Sequence, residues 1–175
     1  MVNIVPYEAK RHLEDVREVL EESGWEKRYI AGQLASLAVL SANLVPGSRG
    51  EVYVFESKGR LGGFVSVEFR EWNRLGQLHG LAVEPSLKRR GIASALVRRA
   101  EGFVREEEGR GIYVDPPVTN RNACSFYRAL GYRRAYTMPE YCEPRPGAYD
   151  QRGRLLRHGG RGRARGCGHR DEARY

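Results

Sequence analysis

Apolar and polar positions change period several times along the chain, and each change marks an element. At the start, "VNIVPY" (2–7) alternates weakly and is closed by Pro6, which reads as a short edge strand. In "KRHLEDVREVLEESG", Leu13, Val16 and Leu20 recur at helical spacing and Gly24 acts as a stop. "EKRYIAGQLASLAVLSANL" predicts a second helix, weakened by Gly32, and "PGSRG" a turn. The period then shortens to two. "EVYVFES" sets Val52 and Val54 against Tyr53 and Phe55, "KGR" signals a hairpin turn, and "LGGFVSVEFREW" is the return strand. "GQLHGLAVEP" is a third strand ended by Pro85, in which Gly80 predicts a bulge or a close backbone approach.

Helical spacing returns in "GIASALVRRAEGFVREEEG", where Ile92, Leu96, Ala100, Phe103 and Val104 share one face. "GIYVD" is a short apolar strand, "NACSFYRALG" a short helix stopped by Gly131, and "YRRAYTMPEYC" a further strand, with "GRLLRH" a candidate for a last one. The order β-α-α-β-β-β-α-β-α-β(-β) predicts a mixed α/β (α+β) fold, antiparallel early and joined later by a βαβ unit. The boundary falls near residue 150. Residues 1–150 form one domain, and 151–175, rich in Gly and Arg, are expected to be a mostly disordered tail that holds any terminal strand.

Composition changes this picture in one respect. The net charge is +8, but residues 151–175 hold eight arginines against Asp171 and Glu172, so six of those charges belong to the tail. The domain is close to neutral, which makes nucleic-acid binding through the tail the weaker reading. Three cysteines without a CxxC pair argue against a disulfide framework or a zinc site and suit a reducing cytoplasm. No stretch has the length of apolar sequence that spans a membrane, and no secretory signal opens the chain.

Candidate chemistry sits in "VEPSLKRRGIAS". A strand ends at Pro85 and a helix starts near Gly91, so unpaired helical amides, the small residues Gly91 and Ala93, and the cations Lys88, Arg89 and Arg90 together form an anion site. Neither a Walker A loop nor a G-x-G-x-x-G fingerprint is present. The pattern V-x-P-x-x-K-x-x-G-x-A at Val83, Pro85, Lys88, Gly91 and Ala93 resembles motif A of the GNAT superfamily of N-acetyltransferases, usually [QR]-x-x-G-x-[GA], with Lys88 in place of Gln or Arg. Downstream, Asn120, Ala123, Tyr127, Gly131 and Tyr132 match the family's N-x-x-A-x-x-x-Y-x-x-x-G-[FY] pattern.

The resemblance implies a mostly antiparallel central sheet of six or seven strands flanked by about four helices. It also implies direct transfer of an acetyl group, or a longer acyl group, from acetyl-CoA to a primary amine in a ternary complex without a metal. The amine would belong to a small molecule, a peptide N-terminus or a lysine, and a homodimer is compatible with it. By the same resemblance, the turn from Lys88 through Arg89, Arg90, Gly91, Ile92 and Ala93 to Ser94 would hold the pyrophosphate. Leu81, Ala82 and Val83 would pair with the pantetheine arm, Asn120 would contact that arm, the Val83 amide would polarise the carbonyl, and Tyr127 would protonate the thiolate. At the position where several family members carry an acidic base stands Gln77. His79, Glu68, Glu84 or a bound water remain as proton acceptors. Glu140, Tyr141 and Glu143, with Trp25, Tyr29 and Trp72, are candidates for the acceptor side or for ordinary surface and packing. A second reading is an acyl-CoA-binding regulatory domain with weak catalysis.

Overall fold

The periodicities fold into seven strands and four helices among the residues that the computed structural model describes, 3–57, 59–117, 119–137 and 169–173. They are β1 (Ile4–Pro6), α1 (Ala9–Glu22), α2 (Lys27–Ser41), β2 (Ser48–Ser57), β3 (Arg60–Arg70), β4 (Leu75–Val83), α3 (Ile92–Glu106), β5 (Gly111–Val114), α4 (Arg121–Ala129), β6 (Arg133–Thr137) and β7 (His169–Ala173). The fold is mixed α/β, and every strand pairing described below is antiparallel. The chain divides into two compact units, within Met1–Ile112 and within Tyr113–Ala173.

In the first unit β1, β2, β3 and β4 pair in sequence order as a meander. Its two faces follow from the period of two. Val52, Val54, Phe64 and Ala82 pack with Val16, Leu20, Ile30 and Leu37 of α1 and α2. Tyr53 on β2 faces the other way, where the Arg99 guanidinium of α3 lies 4.3 Å from its ring centre. The buried stripe of α3 is Ile92, Leu96, Val97, Ala100, Phe103 and Val104, the predicted face plus Val97. Two glycines allow a helix to approach the meander closely. A Cβ on Gly50 would stand 2.6 Å from the Leu40 carbonyl oxygen of α2, and one on Gly76 would enter the Val104 side chain.

The face of α1 differs from the expected one. Leu13 is 39% exposed, while His12 is buried with Val16, Val19 and Leu20, giving the i, i+4, i+7, i+8 stripe. His12 is satisfied locally. Its Nδ1 accepts from the Glu8 amide at 2.9 Å and its Nε2 lies 2.9 Å from Glu56 Oε1. Gly24 stops α1 as predicted, with φ 80°. The Trp25 amide donates to the Leu20 carbonyl (3.1 Å) and Gly24 to Glu21 (3.0 Å), the paired bonds of a Schellman cap. Trp25 then packs on the core, Tyr29 stacks with Arg28, and Trp72 is 81% exposed.

In the second unit β6 pairs with β7. The last described strand is thus His169–Ala173, within the segment expected to be mostly disordered, whereas "GRLLRH", Glu140, Tyr141 and Glu143 lie outside the described residues. The register sets Arg133 opposite Glu172 and Arg134 opposite Asp171.

Candidate active site

The strand preceding the basic turn is interrupted where Gly80 predicted it. Along β3–β4, Ser66 pairs with Gly80 but Val67 pairs with Leu78, so His79 is the extra residue of a bulge. Gly80 supplies a close approach as well. A Cβ there would lie 2.6 Å from Gln33 Cδ, and Gln33 Nε2 donates to Ser66 Oγ at 3.2 Å. Beyond the bulge the Glu84 amide donates to the Gly62 carbonyl at 2.9 Å. Backbone groups alternate sides along an antiparallel ladder, so the Leu81 and Val83 amides point away from β3. Ala82, between them, sits in the core beneath α1 and α2.

After β4, a 3-10 turn at Pro85–Leu87 leads to Lys88, Arg89, Arg90 and Gly91, all exposed. Arg89 (φ 65°) and Gly91 (φ 78°) both adopt the left-handed conformation. A Cβ at Gly91 would meet nothing within 4 Å, so space stands open at the start of α3. The amides of Ile92, Ala93 and Ser94 open that helix and have no intrahelical carbonyl to bond. Dipole, amides and three cations thus converge on one open turn, which suits an anion. Beside it a cleft of about 310 Å³ is lined by Ser57, Arg60, Leu61, Gly62, Glu84, Leu87 and Arg90.

The proton-transfer candidates divide sharply. Gln77 stands opposite Glu68 on β3, and its Oε1 accepts from Arg70 at 2.8 Å. Glu68 is buried, and its Oε2 lies 2.8 Å from His79 Nε2 and 3.0 Å from Arg70 Nη2. Burial alone would raise the Glu68 pKa, but the hydrogen bond with His79, the Arg70 charge and the Ser48 hydroxyl hold it below the ordinary value. Glu84 lies at the far end of the strand, where Ser86 Oγ donates to it. Sequence reading singled out Glu68 and His79 separately and missed Arg70. The period of two in "EFR" already sets Glu68 and Arg70 on one face, but the bulge that brings His79 to them leaves no signal in the pattern.

In the second unit, the downstream motif is built of helix caps. Asn120 is the N-cap of α4, its Oδ1 accepting from the Ala123 amide at 3.1 Å. At the other end Gly131 has φ 96°, its amide donates to Arg128 (3.0 Å), and the Tyr132 amide donates to Tyr127 (3.0 Å). This is a second Schellman cap, with the Tyr127 and Tyr132 rings in edge contact at 5.3 Å. Tyr127 is buried, and burial together with the Asp115 carboxylate raises its pKa, so the phenol stays protonated. Cys124 is a buried free thiol. Among the described residues no group of three or more His, Cys, Asp or Glu is placed to hold a metal, and no helix is long and apolar enough to cross a membrane.

The sequence profile of the Acetyltransferase (GNAT) family matches residues 16–132, from α1 to the end of the α4 cap. The chain belongs to that family. A GNAT-family structure from Desulfovibrio desulfuricans superposes with a TM-score of 0.75 at 13% identity, covering 99% of each chain. The PaiA N-acetyltransferase of Thermoplasma acidophilum, in complex with coenzyme A, gives a TM-score of 0.66 at 14% identity over 100% of this chain and 99% of that one. At these identities the likeness is one of fold. Among curated proteins an uncharacterized N-acetyltransferase of Methanocaldococcus jannaschii is 28% identical over 85 residues, 46% of this chain. The aligned stretch spans 38% of that relative's length. GNAT membership gives the two motifs a common context that caps and turns alone do not supply.

Proposed function

We propose that this GNAT member transfers an acetyl group from acetyl-CoA directly to a primary amine, and that the open turn from Lys88 to Ser94 is where the cosubstrate's phosphates bind. The observation that carries this reading is the open left-handed start of α3 at Gly91, following a strand whose Leu81 and Val83 amides point off its partner. Acetyl-CoA, when bound, supplies the acyl group as an activated thioester. The amides of Ile92, Ala93 and Ser94 would hold pyrophosphate oxygens, with Lys88, Arg89 and Arg90 adding charge. The backbone from Leu81 to Val83 would pair with the pantetheine arm, and the Val83 N–H would polarise the acyl carbonyl. The family motif implies a pantetheine contact for the side-chain amide of Asn120. Tyr127, protonated by virtue of its burial, would hold the proton destined for sulfur.

The direct test is release of free thiol from acetyl-CoA across a panel of small amines, amino acids, polyamines and peptides. Amine-dependent release with at least one class is expected. One observation favours a second reading, that of a regulatory acyl-CoA-binding domain: Gln77 at the acid position is neutral and engaged by Arg70. Tight acetyl-CoA binding with no amine-dependent release across the panel would select that reading.

A further inference from the structure

The bulge on β4 joins side chains that the family pattern leaves unconnected. His79 Nε2 and Arg70 Nη2 both reach Glu68 Oε2, at 2.8 and 3.0 Å, and Arg70 also holds Gln77 Oε1 at 2.8 Å. An ionised carboxylate only accepts hydrogen bonds, so the ring hydrogen of neutral His79 sits on Nε2 and Nδ1 keeps its lone pair. The His79 side chain is 25% exposed whereas that of Glu68 is 8% exposed, which leaves the histidine as the member of the pair that solvent or an amine can reach.

We propose that Glu68 is a positioning residue that fixes His79 in its Nε2–H tautomer, making Nδ1 the atom that accepts the proton of the acceptor amine. This rests on the acetyl-transfer reading. One N–H bond of the amine breaks and an Nδ1–H bond forms as the amine nitrogen closes its bond to the acyl carbon. The C–S bond opens, and the departing sulfur takes its proton from Tyr127, which regains one from solvent, or from solvent directly. The resulting imidazolium carries its charge against Glu68 and returns the proton to solvent between turnovers. Glu68 on β3 meets the ring directly, and the groups around that carboxylate are Arg70 on the same strand and the Ser48 side chain of β2, while Arg70 also binds Gln77 of β4 and Gln33 of α2 binds the neighbouring Ser66. Arg70 bridges Glu68 and Gln77, so the residue at the usual acid position contributes by steadying the carboxylate one strand away.

Nitrogen NMR of the full chain labelled at histidine, followed through a pH titration, reads the tautomer directly. The expected neutral form of His79 is protonated at Nε2 and bare at Nδ1. His79→Ala should lower kcat by about 100-fold with unchanged affinity for acetyl-CoA. Glu68→Gln should raise the share of the Nδ1–H tautomer, because an amide can also donate to Nε2, and lower kcat with acetyl-CoA affinity unchanged, while Glu68→Asp should restore the Nε2–H form. An Nδ1–H tautomer in the native chain would overturn the proposal even if Glu68→Gln failed to fold. Native tautomer and native kcat in a folded Glu68→Gln variant would overturn the Glu68 role alone. Failure of the native chain to bind acetyl-CoA in calorimetry would instead defeat the acetyl-transfer reading and, with it, the role of Nδ1.

Discussion

Tyr127 shows how one residue serves structure and chemistry through different atoms. Its carbonyl accepts the last bond of α4, its ring meets Tyr132, and its burial keeps the phenol protonated. Only the hydroxyl is free of the capping role. Tyr127→Phe should therefore leave the melting temperature nearly unchanged while lowering kcat on the order of 100-fold, with acetyl-CoA affinity intact. A wild-type rate would reduce Tyr127 to packing. Asn120 divides similarly, since its Oδ1 is committed to the Ala123 amide. The motif singled out both residues in the sequence, although the N-cap role of Asn120 was not read there. Arg70 was not, because its partners come from the register of a neighbouring strand.

At the scale of elements, the periods of 2 and 3.6 place every strand of the meander and both faces of the sheet. Misreadings occur where a polar residue occupies an apolar stripe. His12 is the case in point, because a histidine with both ring nitrogens satisfied can be buried while Leu13 turns outward. Close approaches of elements are also invisible along the chain. Gly50→Ala would drive a Cβ against the backbone of Leu40, where no side chain can swing aside, and should destabilise the chain by about 1–3 kcal/mol through displacement of α2. Thermal or denaturant unfolding checks this, and an unchanged midpoint would mean that α2 shifts without cost.

For the whole molecule, the basic tail carries most of the net charge and also the β7 strand at His169–Ala173. Composition predicted disorder there because Gly and Arg bury little. That expectation left room for a short terminal strand, and the described strand His169–Ala173 pairs with β6 through its backbone. Deleting residues 151–175 removes the strand that pairs with β6, so it should lower the melting temperature and the amide protection of residues 133–137. Unchanged protection would return the tail to the status of a solvated extension. If acetyl transfer persists after this deletion, an activity residing in tail-bound nucleic acid is excluded.

The central claim is that the turn at Gly91 receives the phosphates of acetyl-CoA. Gly91→Glu places a carboxylate at a left-handed position where space is now open, adding both like charge and strain. Calorimetric titration of the folded variant and the native chain with acetyl-CoA tests the claim most directly. Saturable binding by the native chain and its loss in Gly91→Glu are predicted; equal affinity in the two proteins would contradict the account.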